Sequence, residues 1–142
     1  MRISNIAIAL SVALGSALVL QPLTGAAQGV QDRPVTIGGI ETVCTGVGSA
    51  KDNTAWKAYS VKLVFATAAG EDLAAVHVAV MQGGKPLVES DCDAPWLLMK
   101  LPAGKYSVAA RVQGDTGARA AKTYFTTEGG TQQTVIVTLP GK

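Results

Sequence analysis

The sequence predicts an all-β fold, an antiparallel sandwich of seven strands within a range of six to eight. Two observations carry this. From residue 58 onward apolar residues recur with period two, the pattern of strands that bury one face. Turn segments rich in Gly or containing Pro interrupt that pattern at short, regular intervals, the spacing of a sandwich or barrel rather than of strands alternating with helices.

The first 27 residues stand apart. Arg2, the apolar stretch Ile6 to Leu20 and the small residues Gly25, Ala26 and Ala27 follow the layout of a secretory signal peptide with cleavage expected after Ala27. The apolar stretch is shorter than the roughly 20 residues that a bilayer core requires. The first cysteine is Cys44, too distant for a lipid anchor at the cleavage site. Residues 28–142 are then expected to form one domain in the periplasm or outside the cell, without membrane insertion. The positive mean hydropathy owes much to the leader. The formal charge of +2, one unit of which is Arg2, gives no basic stripe for a nucleic-acid partner.

Past the leader, Val35 to Ile37 is a candidate first strand. Residues 46–57 lack alternation, and Ser49 or Asp52 is placed to cap a short helix near 49–57 that ends close to Trp56. Tyr59, Val61, Leu63 and Phe65 then alternate with polar residues and read as one buried strand face. Val76, Val78 and Val80 repeat the pattern, with His77 and Met81 on the opposite face. Gly83 and Gly84 suit a tight hairpin turn, and Lys85 to Ser90 is the return strand, in which Pro86 favours an edge. Trp96 to Leu101 is a short apolar strand. Pro102, Ala103 and Gly104 form a turn, read as a hairpin into a strand that buries Tyr106, Val108, Ala110 and Val112. After Gly114 and Asp115 a strand is expected near Ala120 to Thr127, and after Glu128-Gly129-Gly130 a last one with Val135, Val137 and Leu139 inward.

The strand Tyr59-Ser60-Val61-Lys62-Leu63-Val64-Phe65-Ala66, the strand Ala74-Ala75-Val76-His77-Val78-Ala79-Val80, the turn Gly83-Gly84-Lys85 and the segment Pro95-Trp96-Leu97-Leu98-Met99-Lys100-Leu101-Pro102-Ala103-Gly104-Lys105-Tyr106-Ser107-Val108 together resemble the carboxypeptidase regulatory-like domains. The resemblance spans about residues 35–139 and is strongest from Leu101 to Tyr106. It implies an Ig-like, prealbumin-like β-sandwich, and a non-catalytic module that elsewhere is appended to enzymes or receptors.

Export places Cys44 and Cys92 where disulfides persist. One intramolecular bridge would stabilise a small domain by about 4 kcal/mol in the chain-entropy picture. Free or intermolecular thiols are the alternative. A metal pair is disfavoured, because neither cysteine has a CxxC partner or a nearby histidine.

Catalysis by a Ser-His-Asp or Cys-His set needs a histidine as base, and the chain has only His77, expected mid-strand on the outward face. The enzymes that share the prealbumin-like fold demand more: hydroxyisourate hydrolases use several histidines, and intradiol dioxygenases hold iron with two tyrosines and two histidines. Glu89, Asp91 and Asp93 share one side of an extended segment, which reads first as a solvated acidic edge. Met81 and Met99 with His77 are a thin set of copper ligands, and Met99 reads better as core. Trp56 and Trp96 are the possible recognition surface, since an exposed indole stacks on sugar rings or apolar partner surfaces.

These readings converge on a non-catalytic periplasmic or secreted binding or accessory module, monomeric, whose partner is a protein, peptide or envelope polymer. The alternatives are a carbohydrate or metal-ion binder and, behind them, a small hydrolase. No catalytic residue, cofactor or metal ligand is assigned.

Overall fold

The computed structural model describes residues 31–115 and 120–140; the expected signal peptide lies outside them. Nine strands occur among the described residues: β1 (Val35–Ile37), β2 (Ile40–Thr45), β3 (Val61–Thr67), β4 (Val76–Gln82), β5 (Lys85–Cys92), β6 (Trp96–Met99), β7 (Gly104–Val112), β8 (Ala121–Thr127) and β9 (Gln133–Leu139). They form a five-stranded sheet in the order β1-β2-β6-β3-β9 and a four-stranded sheet in the order β5-β4-β7-β8.

Period-two alternation builds the core between them. Val61, Leu63 and Phe65 on β3, Val76, Val78 and Val80 on β4, Tyr106, Val108 and Ala110 on β7, and Val135, Val137 and Leu139 on β9 are all buried and join one cluster. Burial of each large aliphatic or aromatic side chain contributes about 1.5–3 kcal/mol. The Cys44–Cys92 disulfide lies in the same cluster, with Cα atoms 5.6 Å apart. It ties β2 of one sheet to β5 of the other.

The all-β sandwich holds, and its details depart from the expectation in four places. Nine strands stand where six to eight are expected, because the segment before residue 46 supplies two: the three residues of β1 pair with β2, whose buried run carries no period-two signal. The pairing is not wholly antiparallel, because β9 runs parallel to β3 in register Leu63↔Val135. The turn at Pro102 is not a hairpin. β6 pairs with β2 and β3, whereas β7 pairs with β4 and β8, so the chain changes sheets there. The physical reason is visible in β6, where Leu97, Leu98 and Met99 are buried on both faces and therefore need a central position with cover on each side. The Tyr106 hydroxyl donates to the Pro102 carbonyl at 2.7 Å and braces the corner.

The expected short helix is instead two 3-10 turns, Gly48–Asp52 and Thr54–Ala58. Neither Ser49 nor Asp52 caps them; the Asn53 side chain accepts from Ala55 N at 3.0 Å. Two other expectations hold. Gly83 and Gly84 both take positive φ, 57° and 78°, at the β4–β5 hairpin, and β5 with Pro86 is an edge strand. Among the described residues no helix is long and apolar enough to cross a membrane.

Candidate functional site

The two 3-10 turns lie over the outer face of the five-stranded sheet, where Trp56, Tyr59, Val43 and Leu98 form a second, small core. Trp56 is buried; its Nε1 donates to the Ala50 carbonyl at 2.8 Å, and its ring meets Tyr59 edge-on at 6.1 Å. Gln132, just before β9, donates from Nε2 to the carbonyls of Trp56 at 2.7 Å and Tyr59 at 3.1 Å. The turns are thereby fastened to the sheet as a fixed wall.

Trp96 stands at the foot of that wall. As the first residue of β6 it alternates with the inward Leu97, so its indole faces outward, half-buried. Gly46, at φ +108°, lies so close that a Cβ there would sit 2.6 Å from the Trp96 ring. Lys62 projects from the same outer face of β3, in the register Lys62↔Leu98 and Val64↔Trp96. Its Nζ lies 4.2 Å from the indole centroid, and the Nζ of Lys51 lies at 5.6 Å. A cation over an indole gains about 0.5–1 kcal/mol at an exposed site.

A cleft of about 250 Å³ opens here, with Lys51, Asn53, Lys57, Lys62, Trp96 and Gln132 in its walls. Lys51 pairs with Asp72 at 2.8 Å. No carboxylate of the described residues pairs with Lys57 or Lys62, and the one carboxylate in the lining is Asp52. The Lys62 ammonium rests over the indole face; once an anionic group draws it aside, the arrangement can stack a flat ligand face on the indole and hold that group on ammonium nitrogens. The two tryptophans thus divide: Trp96 offers its ring to the cleft, while Trp56 is part of the core beneath it. Lys51, Lys57 and Lys62 carried no signal in the sequence, because strand register and the two turns bring them together.

The outer face of the four-stranded sheet gathers the other candidates. Antiparallel pairing sets His77 opposite Asp91, with Glu89 diagonal to it. His77 Nδ1 lies 2.6 Å from Asp91 Oδ1, and Nε2 lies 3.0 Å from Glu89 Oε1. Both ring nitrogens face carboxylates, and among the described residues no hydroxyl or thiol is hydrogen-bonded to the ring. Asp93 departs from the acidic row and accepts from Gln113 Nε2 at 3.0 Å. Met99 is buried in the core, and Met81 sits half-exposed on β4. No three His, Cys, Asp or Glu side chains among the described residues converge to hold a metal ion.

The shifted titrations belong to a structural group elsewhere. The Tyr59 hydroxyl donates to Glu41 Oε1 at 2.7 Å, and Lys100 Nζ reaches Glu41 Oε2 at 3.2 Å. The hydrogen bond from Tyr59, then that from Lys100, holds the Glu41 carboxyl below its usual range. Burial, with the Glu41 hydrogen bond and charge, pushes the Tyr59 phenol well up. Burial also raises Tyr106. Tyr59 and Lys100 hold Glu41 of β2, Tyr106 braces the Pro102 corner, and none of the four lines the cleft. No protein-family model matches the chain, and no curated protein is found similar to it.

Proposed function

We propose that this chain is a non-catalytic binding module that works outside the cytoplasm, in the periplasm or as a secreted protein, and engages its ligand through the cleft beside Trp96. The observation that carries this reading is a half-buried indole flanked by ammonium groups in an open cleft, beside a wall that hydrogen bonds hold in place. A fixed, partly polar concavity with one stacking ring is a form suited to ligand recognition. The Cys44–Cys92 disulfide agrees with an oxidising compartment. The two-sheet sandwich and the brace from Tyr106 to Pro102 support a carboxypeptidase regulatory-like module of the prealbumin type, which would take its role from a partner rather than from chemistry of its own.

A hydrolase reading would have to use His77. Both of its nitrogens are engaged by carboxylates on a flat strand face, an arrangement without the nucleophile that acyl transfer requires. Intrinsic fluorescence tests the binding reading. Titration with a panel of neutral glycans, acidic glycans and peptides should change Trp96 emission with at least one member, and the change should vanish in Trp96→Phe. Silence across the whole panel, or an undiminished response in Trp96→Phe, would refute it.

A further inference from the structure

We propose that the Trp96 cleft takes an anionic polysaccharide, with the sugar ring stacked on the indole and its acidic groups held by Lys57 and Lys62. The inference rests on the binding-module reading and names its ligand class. Four features of the cleft carry it.

The first is charge. Three lysines face one lining carboxylate, Asp52. Lys51 is partly neutralised by Asp72, whereas Lys57 and Lys62 have no carboxylate partner among the described residues. In the free protein the Lys62 ammonium rests over the Trp96 ring; an anion draws it aside, exchanging a cation–π contact of about 0.5–1 kcal/mol for charge-assisted hydrogen bonds and opening the ring face to the sugar.

The second is the set of uncommitted polar atoms. Asn53 uses its Oδ1 to accept from Ala55 N, which leaves its Nδ2 as a donor. Gln132 spends its Nε2 on two backbone carbonyls, which leaves its Oε1 as an acceptor. Thr54, also in the lining, adds a hydroxyl. Donor, acceptor and hydroxyl beside an aromatic face match the alternating hydroxyls and C–H face of a pyranose.

The third is the absence, within the lining, of the aliphatic pockets that a peptide's side chains would fill; its apolar members are Trp56, already buried in the core, and Trp96. Peptide capture through an added strand would need the cleft to border an open sheet edge. The cleft centres instead on Trp96 of β6, which is central in its sheet, and the edge strand β9 lies two strands away.

The fourth is length. The register Trp96↔Val64↔Ile136 continues the outer face from β6 across β3 to β9, and Ile136 is 62% exposed. Neighbouring strands lie about 4.8 Å apart, so this strip runs about 10 Å beyond the indole. That exceeds one sugar ring and suits a chain.

The test uses alginate, neutral dextran and polyglutamate as probes, titrated against the disulfide-bonded protein by fluorescence and calorimetry. Alginate should bind. Lys57→Gln and Lys62→Gln should each weaken it about two- to fivefold, as expected for exposed charge pairs, and neither change touches the core. Trp96→Ala should weaken it about tenfold, with far-UV circular dichroism unchanged. Raising salt from about 50 to about 500 mM should weaken alginate binding strongly, because such pairs are screened. The inference is overturned if alginate does not bind, if dextran binds as tightly, or if polyglutamate binds more tightly. It also falls if both lysine variants retain full affinity. Dextran binding as tight as alginate, or polyglutamate binding tighter, that depends on Trp96 would remove the anionic polysaccharide and leave the binding-module reading standing. Silence of all three probes overturns the inference alone, since that reading answers to the wider panel.

Discussion

The Nζ of Lys62 lies 4.2 Å from the centroid of the Trp96 indole, so the more accessible of the two tryptophans is also the one beside positive charge. Trp56 is 8% exposed, in the small core beneath. Collisional quenchers should separate the two. Iodide, drawn to the lysines, is expected to quench Trp96 and to spare Trp56, whereas caesium should quench little of either. In Trp96→Phe the iodide effect should almost disappear. Equal quenching by the two ions would mean that the lysines do not shape the field at the ring.

Gly46 sets the position of that ring. A Cβ there would meet Trp96 at 2.6 Å, and the backbone holds φ +108°, a conformation that L side chains resist. Gly46→Ala should destabilise the fold by about 1–3 kcal/mol, the usual cost of such strain, and should also move the indole. The expected signature in thermal melts and emission spectra is a lower Tm together with a displaced Trp96 band at temperatures where the protein is folded. An unchanged Tm would contradict the close approach.

The Cys44–Cys92 bridge connects the two sheets inside the core cluster. Mass spectrometry without reductant should give a chain two hydrogens lighter than its dithiol form, with the two cysteine peptides joined. Replacement of both cysteines by alanine should lower stability by about 2–4 kcal/mol, read as a shift in the urea midpoint. Ligand binding by the folded variant should persist, because neither cysteine lines the cleft.

Glu41 and Tyr59 give the fold opposite pH flanks. The Glu41 carboxyl is held low by Tyr59 and Lys100, so its contribution is present above the ordinary carboxylate pKa of about 4.3 and is lost as pH falls through the lowered value. The Tyr59 phenol is raised by burial and by Glu41. Its contribution is complete below the ordinary phenol pKa of about 10 and declines as pH rises past it. Tyr59→Phe should therefore flatten both flanks of a stability-against-pH curve measured by urea unfolding. A curve with unaltered slopes at both ends would show that the pair carries no linkage.

Alternation made the core faces legible in advance. Val61, Leu63 and Phe65, and likewise Val135, Val137 and Leu139, needed only their period of two and share the core between the sheets; Tyr59, expected on the same face, instead precedes β3 and packs with Trp56 on the outer side of the sheet, because the second 3-10 turn ends there. β2 carries no period-two signal because Ile40–Thr45 does not alternate cleanly: Thr42, Val43, Cys44 and Thr45 are buried in succession, as befits a strand covered on both sides. The Pro102 turn was recognisable as a corner, but turn chemistry does not say whether the next strand pairs with the last or crosses to the other sheet. The cysteine pair was legible from its number, two, together with the export that the first 27 residues lead one to expect. The cleft was not, beyond Trp96 itself. Lys51, Lys57 and Lys62 meet through a parallel and antiparallel register and two 3-10 turns, none of which a local pattern encodes. The same holds for His77, whose contact with Asp91 and Glu89 comes from cross-strand pairing and is invisible along the chain.

Chemical-shift mapping tests the cleft most directly. In a nitrogen–proton spectrum of the protein titrated with alginate, the indole N–H of Trp96 and the amides of Lys51, Asn53 and Lys62 should move together. The indole N–H of Trp56, bonded to the Ala50 carbonyl, should stay nearly fixed, as should the amides of His77 and Arg111 on the other sheet. Shifts centred on His77 and Arg111, with Trp96 unmoved, would contradict the account.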